Sequence, residues 1–113
     1  MAKGPKGPSF RGGISEMMRY ANRIQQKLSD MKEEMKDETM DVSVADGRVT
    51  ATVNGERKVV KISIDREKVD LADMDEGEDL VAAAVNAALE KMDEHVKEET
   101  KKITGGMDLP GLF

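Results

Sequence analysis

An apolar stripe between residues 14 and 35 constrains the fold more than any other feature of this 113-residue chain. Its members alternate at steps of three and four, which predicts one face of a helix from about residue 14 to 38. Such a helix would be about 37 Å long. Because so small a chain cannot cover its whole length, we expect part of it to project or to contact another subunit. The stripe comprises Ile14, Met17, Ala21, Ile24, Leu28, Met31 and Met35.

Three runs of alternating apolar and polar residues follow, at 40–44, 49–53 and 60–64. Asp46-Gly47 predicts a two-residue hairpin turn between the first two runs, and Asn54-Gly55 is a strong hairpin signal between the last two. Together they predict a three-stranded antiparallel meander with one apolar face.

A second long helix is predicted from about Asp79 to Thr104, and Gly105-Gly106 is typical of a C-cap. Its Ala-rich first half could cover the apolar face of the sheet, whereas its second half is mostly charged. A polar connection that starts with a turn capped by Asp65 leads into it. The order is helix, three strands, helix, which is an α+β fold. Since the outer parts of both helices stay uncovered in one chain, a two-fold homodimer is the simplest remedy.

The flanking segments are predicted to be irregular. Residues 1–13 are basic and rich in Gly and Pro, which is typical of a flexible arm. The single domain would span 14–104, followed by an apolar tail at 105–113. Within the polar connection, Val69 and Leu71 are predicted to be small apolar anchors.

Enzymatic chemistry finds little support in the sequence. There is no cysteine, and no nucleophile, base and orienting partner can be assembled around His95, the one histidine. The acidic cluster at 73–79 lacks the spacing of a calcium loop and is predicted to be a solvated linker. Gly12-Gly13 lacks the strand and the Lys-Ser/Thr pair of a nucleotide loop. No apolar run approaches the roughly 20 residues that span a bilayer. We therefore predict a cytoplasmic protein without metal, cofactor, small-molecule substrate or membrane partner.

Charge is distributed unevenly along the chain. The formal net charge is −5. Residues 1–27 hold six basic side chains and one acidic, which gives 6 − 1 = +5. The other 86 residues hold 12 basic and 22 acidic side chains, which gives 12 − 22 = −10. This asymmetry is compatible with a local anion-binding surface, and equally with head-to-body association between copies.

Three cations on the first helix, Arg19, Arg23 and Lys27, are spaced four residues apart and so form one slowly rotating stripe. Like charges at this spacing repel, and a polyanion would relieve that repulsion. The alternative is an ordinary solvated helix face. Gln26 beside the stripe and Arg11 in the basic arm, together with Lys3 and Lys6, complete the candidate phosphate contacts.

Lysines near the end of the second helix are weaker candidates, namely Lys97, Lys101 and Lys102. A favourable ion pair of Glu98 with Lys102 is predicted there, and a solvated face with many ion pairs is the better interpretation. Few side chains suit base readout, and there are no aromatic platforms for single strands. Any DNA binding should therefore involve duplexes, mainly through phosphates and with modest sequence preference.

Four segments follow one another along the chain, namely RIQQKLSDMKEEM (23–35), VTATVNGERKVVKISID (49–65), LVAAAVNAALEKM (80–92) and TGGMDLPGLF (104–113). In these segments and their order the chain resembles the YbaB/EbfC nucleoid-associated proteins. The resemblance implies an α-β-β-β-α protomer in a tweezer-like homodimer whose helices project from a joined sheet core. It also implies duplex DNA binding, a role in nucleoid organisation or expression control, and a cytoplasmic, nucleoid location. Arg66 departs from the pattern, since many members have Pro there.

A second hypothesis from another class remains open at this point. The acidic body and the nine methionines would also suit an adaptor or chaperone-like protein that clasps a polypeptide between Met-rich projecting helices. The methionine stripe is more typical of packing or of a dimer seam than of a peptide groove. The basic stripe on the first helix favours DNA.

Overall fold

The computed structural model describes residues 13–70 and 72–106. The order of elements within them confirms the predicted α+β fold. The basic arm up to residue 12, the predicted anchor Leu71 and the tail from residue 107 lie outside the described residues. The elements are α1 (Ile14–Met35), β1 (Thr39–Val44), β2 (Val49–Asn54), β3 (Val59–Ile64) and α2 (Met74–Thr104).

The sheet is an antiparallel meander in which β2 lies between β1 and β3. Every second residue of β2 is fully buried, namely Val49, Ala51 and Val53. They are buried because α2 packs across β1 and β2 on this face. The predicted cover by the Ala-rich half of α2 is confirmed, since Ala84 and Ala88 are also fully buried.

The first hairpin turns at Asp46 and Gly47 as predicted, but the connection between its strands has four residues, 45–48, rather than two. Asp46 and Gly47 both have positive φ, 57° and 83°. The Arg48 amide donates to the Ala45 carbonyl across the turn at 3.3 Å. Ala45 is itself left-handed (φ 53°), so regular pairing stops one residue earlier, at Val44 and its partner Val49.

The second hairpin forms where predicted, but Gly55 is not part of a two-residue turn. Glycine is required there for another reason. The connection between the strands has four residues, 55–58, and its left-handed position is Arg57 (φ 63°). The Asn54 side chain accepts from the amides of Glu56 and Lys58 at 2.9 and 3.1 Å. Glycine is needed at 55 because a Cβ there would lie 2.0 Å from the Met35 carbonyl oxygen. The hairpin thus packs directly against the end of α1.

That contact explains why α1 is shorter than predicted. The helix ends at Met35 rather than at residue 38. The Glu38 amide donates to the Met35 carbonyl at 3.0 Å, and the Glu38 carbonyl accepts from the Gly55 amide at 3.1 Å. Backbone pairing with the hairpin therefore replaces a further helical turn.

Helix α2 begins at Met74, five residues before the predicted start, so the solvated linker predicted at 73–79 is wrong. Asp73 is the N-cap, and its carboxylate accepts from the Glu76 amide at 3.1 Å. Asp75 and Glu76 fall in the first turn, where acidic side chains interact favourably with the helix dipole. In the connection before it, Asp65 caps the predicted turn through the Glu67 amide at 3.0 Å.

We expect Asp73→Ala to lower the free energy of unfolding by about 1 kcal/mol, because the cap would be lost. Urea denaturation followed by circular dichroism measures this change. Asp73→Asn keeps an acceptor oxygen at the cap and should cost much less. Equal losses in the two variants would contradict the capping role.

Candidate nucleic-acid interface

Helix α1 and the last three turns of α2 run antiparallel. Residues 14–35 and 95–104 together are called the arm from here on, as distinct from the basic N-terminal segment. Met35 and Val96 line one shared hollow between them. One turn further along, the Thr100 hydroxyl lies 3.9 Å from the Met31 sulfur. Ile24, Leu28, Met31 and Met35 are buried along α1. The predicted apolar stripe is therefore the seam of this arm at its inner end.

The first three turns of α1 extend beyond the end of α2. Ile103 shares a groove with Lys27, and α2 ends one residue later at Thr104. Residues 14–23 of α1, which precede the first buried seam residue Ile24, therefore form a projecting segment about 15 Å long. Three of its apolar side chains are exposed, namely Ile14 (74%), Met17 (54%) and Met18 (59%).

Arg19 and Arg23 lie on this projecting segment, one turn apart. The Arg19 side chain is 67% exposed and contacts Glu16 at 3.5 Å. An exposed pair at that distance contributes little, so the guanidinium remains available to another anion. Arg23 is exposed and makes no ion pair with any residue that the structure describes. These two residues are the cations of the predicted stripe that lie beyond the end of α2.

Lys27 and Gln26 lie where the surface becomes acidic. Lys27 lines a groove between the two helices whose other charged members are three carboxylates and one lysine. The Gln26 side-chain amide donates to the Asp30 carboxylate at 2.9 Å. Both are less available to a phosphate than Arg19 and Arg23. Arg11 lies outside the described residues. The charged groove partners of Lys27 are Asp30, Glu34, Glu99 and Lys102.

The lysines of α2 divide between two sides of the arm. Lys102 lies on the flank that carries Lys27, and it pairs with Glu99 at 2.8 Å. The predicted partner Glu98 is therefore wrong, because Glu99, three residues away, reaches the ammonium instead. The hydrogen bond and charge of Glu99 raise the pKa of Lys102. Lys97 and Lys101 are exposed on the face of α2 that points away from the seam.

Other polar contacts tie the hairpins and the helices together. Arg48 reaches Glu76 at 2.9 Å, and Arg57 pairs with Asp93. The His95 ring nitrogen lies 3.2 Å from the Glu38 carboxylate. Sequence reasoning missed these pairs because their partners are 28 to 57 residues apart. Among the described residues, no group of His, Cys, Asp or Glu is arranged to hold a metal ion.

The described residues thus form an acidic α-β-β-β-α protomer whose projecting segment carries two exposed arginines. A model of the YbaB/EbfC DNA-binding family matches residues 11–107. This chain belongs to the YbaB/EbfC DNA-binding family. The match covers both helices, the sheet and the candidate cations of the arm.

Relatives in this family are similar along nearly their whole length. A nucleoid-associated protein of a Thermoanaerobacter species is 42% identical over 115 residues, which covers 100% of both chains. A nucleoid-associated protein of Myxococcus xanthus is 37% identical over 99 residues, which covers 88% of this chain and 94% of the relative.

The fold also has a solved counterpart in an uncharacterized protein from Helicobacter pylori. The two structures superpose with a TM-score of 0.68 at 20% identity, covering 80% of this chain and 96% of the other. Neither helix of this YbaB/EbfC family member has, within the described residues, a stretch long and apolar enough to cross a bilayer.

Proposed function

We propose that this protein is a nucleoid-associated, cytoplasmic protein that binds duplex DNA as a homodimer, mainly through phosphates and with modest sequence preference. It would contribute to nucleoid organisation and to the control of gene expression. The observation that carries the proposal is the projecting segment of α1, where two exposed arginines stand clear of the acidic body. Membership of a DNA-binding family supports the same ligand.

Arg19 and Arg23 suit phosphates better than base edges. They are four residues apart on one helix, so their side chains leave the axis about 6 Å apart. Guanidinium groups form strong charge-assisted hydrogen bonds with phosphate oxygens. Lys97, Lys101 and Lys102 are further candidates on the arm, and Arg11 would add a contact from the N-terminal segment. Such contacts fix position on the duplex and carry little sequence information.

Fluorescence anisotropy of a labelled random duplex of about 30 base pairs tests the proposal. If each protomer neutralises two phosphates, a dimer neutralises four, and the affinity should fall about 100-fold between about 50 and about 200 mM salt. Absence of binding at the lower salt concentration to several unrelated duplexes would contradict phosphate-led recognition.

The surface that supports dimerisation is the β3 part of the core face of the sheet, because α2 packs across β1 and β2 on that face. Ile64 pairs with Val49 and so points to the face of the core, yet it remains 40% exposed. Val59 and Val60 on the same strand are also exposed. Ile64 borders an apolar hollow of about 420 Å³ together with Val69 and Val81. A second protomer would remove these exposed apolar side chains from water.

We expect Ile64→Asp to weaken self-association at least about tenfold, because a two-fold interface would bury two unpaired carboxylates. Sedimentation velocity over a range of protein concentrations measures the change. Ser63→Asp adds the same charge at the neighbouring residue, which faces the other side of the sheet, and should leave association unchanged. An unaltered assembly in Ile64→Asp would show that this face is not the interface.

The exposed methionines of the arm favour one alternative, a clasp for an extended polypeptide. Met17 and Met18 are both more than half exposed. An apolar clasp would bind its peptide almost independently of salt, whereas a phosphate contact weakens steeply with salt. The anisotropy titration therefore separates the two functions.

A further inference from the structure

Asn22 carries the one side-chain amide of the projecting segment, and it lies on the side of α1 away from the seam. It is about 160° around the helix from the buried Ile24. Its side chain is exposed and makes no hydrogen bond with any residue that the structure describes. Gln26 follows one turn later on the same side, but its amide donates to the Asp30 carboxylate. Of these two amides, Asn22 is therefore the one available to a ligand.

No structural role within the described residues accounts for an asparagine at this position. Asparagine disfavours the interior of a helix, because its side chain competes for backbone hydrogen bonds. It is favoured at helix caps, but the N-cap of α1 is Gly13, nine residues earlier. Neither capping nor a hydrogen bond to a described neighbour compensates for the unfavourable choice of residue.

The projecting segment has the dimensions of a helix that enters the major groove of DNA. Helix α2 ends beside Lys27, so residues 14–23 extend beyond it. A single helix with its side chains is about 10–12 Å across, and the major groove of B-DNA is about 12 Å wide. Two paired helices would be too wide to enter. The projecting segment is therefore the part of the arm that can reach base edges.

The two arginines of this segment lie on one flank of Asn22. Arg19 is about 60° and Arg23 about 100° around the helix from it, both in the same direction. When Asn22 faces the base edges, both guanidiniums are directed towards the phosphates along one wall of the groove. Met17 lies about 140° from Asn22, so the apolar side of the segment stays outside the groove.

We propose that Asn22 gives this protein its sequence preference by contacting an adenine edge in the major groove. A side-chain amide can donate to N7 of adenine and accept from its N6 amino group, a pair of contacts that the other bases do not offer in this groove. Arg19 and Arg23 position the helix through phosphates, and Asn22 distinguishes the base pairs. The inference rests on the proposed DNA binding and adds the origin of the modest preference.

Selection from a library of duplexes with a random core, followed by sequencing, identifies the preferred site of the natural chain. Anisotropy then compares this site with copies in which a single adenine is replaced by a deazaadenine that has carbon in place of N7. We expect the natural chain to lose affinity on the order of tenfold at the contacted adenine. Asn22→Ala should bind both duplexes with equal affinity and should keep the salt dependence of binding, because no phosphate contact is lost.

Gln25→Ala is the matched control. It removes an exposed amide that lies about 60° from Asn22, on the flank without the arginines. This variant should retain the preference of the natural chain. Alanine is the best helix former, so neither substitution should disturb α1.

The outcomes separate this inference from the proposed function. Equal binding of every duplex by the natural chain would overturn the inference, and so would a preference that survives in Asn22→Ala. A uniform loss of affinity in Asn22→Ala with the preference unchanged would also overturn it, because Asn22 would then contact only the DNA backbone. Failure of the natural chain to bind any duplex would instead contradict the proposed function, and the inference with it.

Discussion

Reversing the charge of Arg19 and Arg23 together is expected to weaken duplex DNA binding at least about 100-fold at low salt. A dimer would lose four phosphate contacts and gain four carboxylates facing the polyanion. The slope of log affinity against log salt should also fall by about 3.6, since each lost contact contributes about 0.9. Anisotropy titrations of the Arg19→Glu, Arg23→Glu variant measure both quantities.

The matched control has the same change in net charge at two exposed lysines outside the projecting segment. Lys32→Glu with Lys91→Glu leaves the projecting segment intact, and neither lysine makes an ion pair within the described residues. Its affinity should fall only through the long-range charge, which salt screens. Equal losses in the two double variants would show that net charge, and not the projecting segment, governs binding. Sedimentation of each variant confirms that the assembly is unchanged.

Gly55→Ala is expected to lower the free energy of unfolding by about 3 kcal/mol, the upper end of the usual cost of overpacking. The added Cβ would lie 2.0 Å from the Met35 carbonyl oxygen and 2.6 Å from its carbon. Both are backbone atoms, so no side chain can rotate away, and the hairpin and α1 must separate. Urea denaturation at one fixed protein concentration measures the loss, since dimer stability depends on concentration.

Gly77→Ala, in the first turns of α2, is expected to raise the free energy of unfolding. A Cβ at Gly77 meets nothing within 4 Å, and alanine is the better helix former by about 1 kcal/mol. This variant should therefore be more stable than the natural chain.

A mild or absent loss of stability in Gly55→Ala would mean that the end of α1 shifts easily away from the hairpin.

Periodicity predicted the elements well because it reflects which side of each element is buried. The seam residues Ile24, Leu28, Met31 and Met35 and the alternating valines of β2 all lie where their spacing placed them. The turn at Asp46-Gly47 was also predictable, because its positive φ angles restrict the residue types. Each of these signals is local in the chain.

The errors arise where a distant contact overrides a local signal. Gly55 has the sequence signature of a tight turn, yet its contact with Met35 is what requires glycine. The same contact ends α1 three residues early. The acidic run after Asp73 was interpreted as a linker because Met74 is its only large apolar residue, whereas an N-cap bond and the helix dipole favour a helix there.

The candidate site was predictable only in part. The spacing of Arg19, Arg23 and Lys27 placed them on one stripe, but it could not show that α2 ends beside Lys27. That end divides the stripe into two exposed arginines and a lysine surrounded by carboxylates. The exposure of a helical cation depends on the neighbouring helix, and the sequence of one helix does not record where its neighbour stops.

The separation of the cationic projecting segment from the acidic remainder has a consequence for neighbouring molecules on DNA. The projecting segment, residues 14–23, carries 2 − 1 = +1, while residues 24–106 carry 13 − 21 = −8. A duplex therefore attracts the projecting segment and repels the rest of each molecule. We expect the body, meaning the sheet and the part of α2 that packs on it, to lie away from the DNA. Bodies of adjacent molecules also repel within a Debye length of about 10 Å at 0.1 M salt. Occupied sites should then be spaced apart, which leaves the intervening DNA accessible to other proteins.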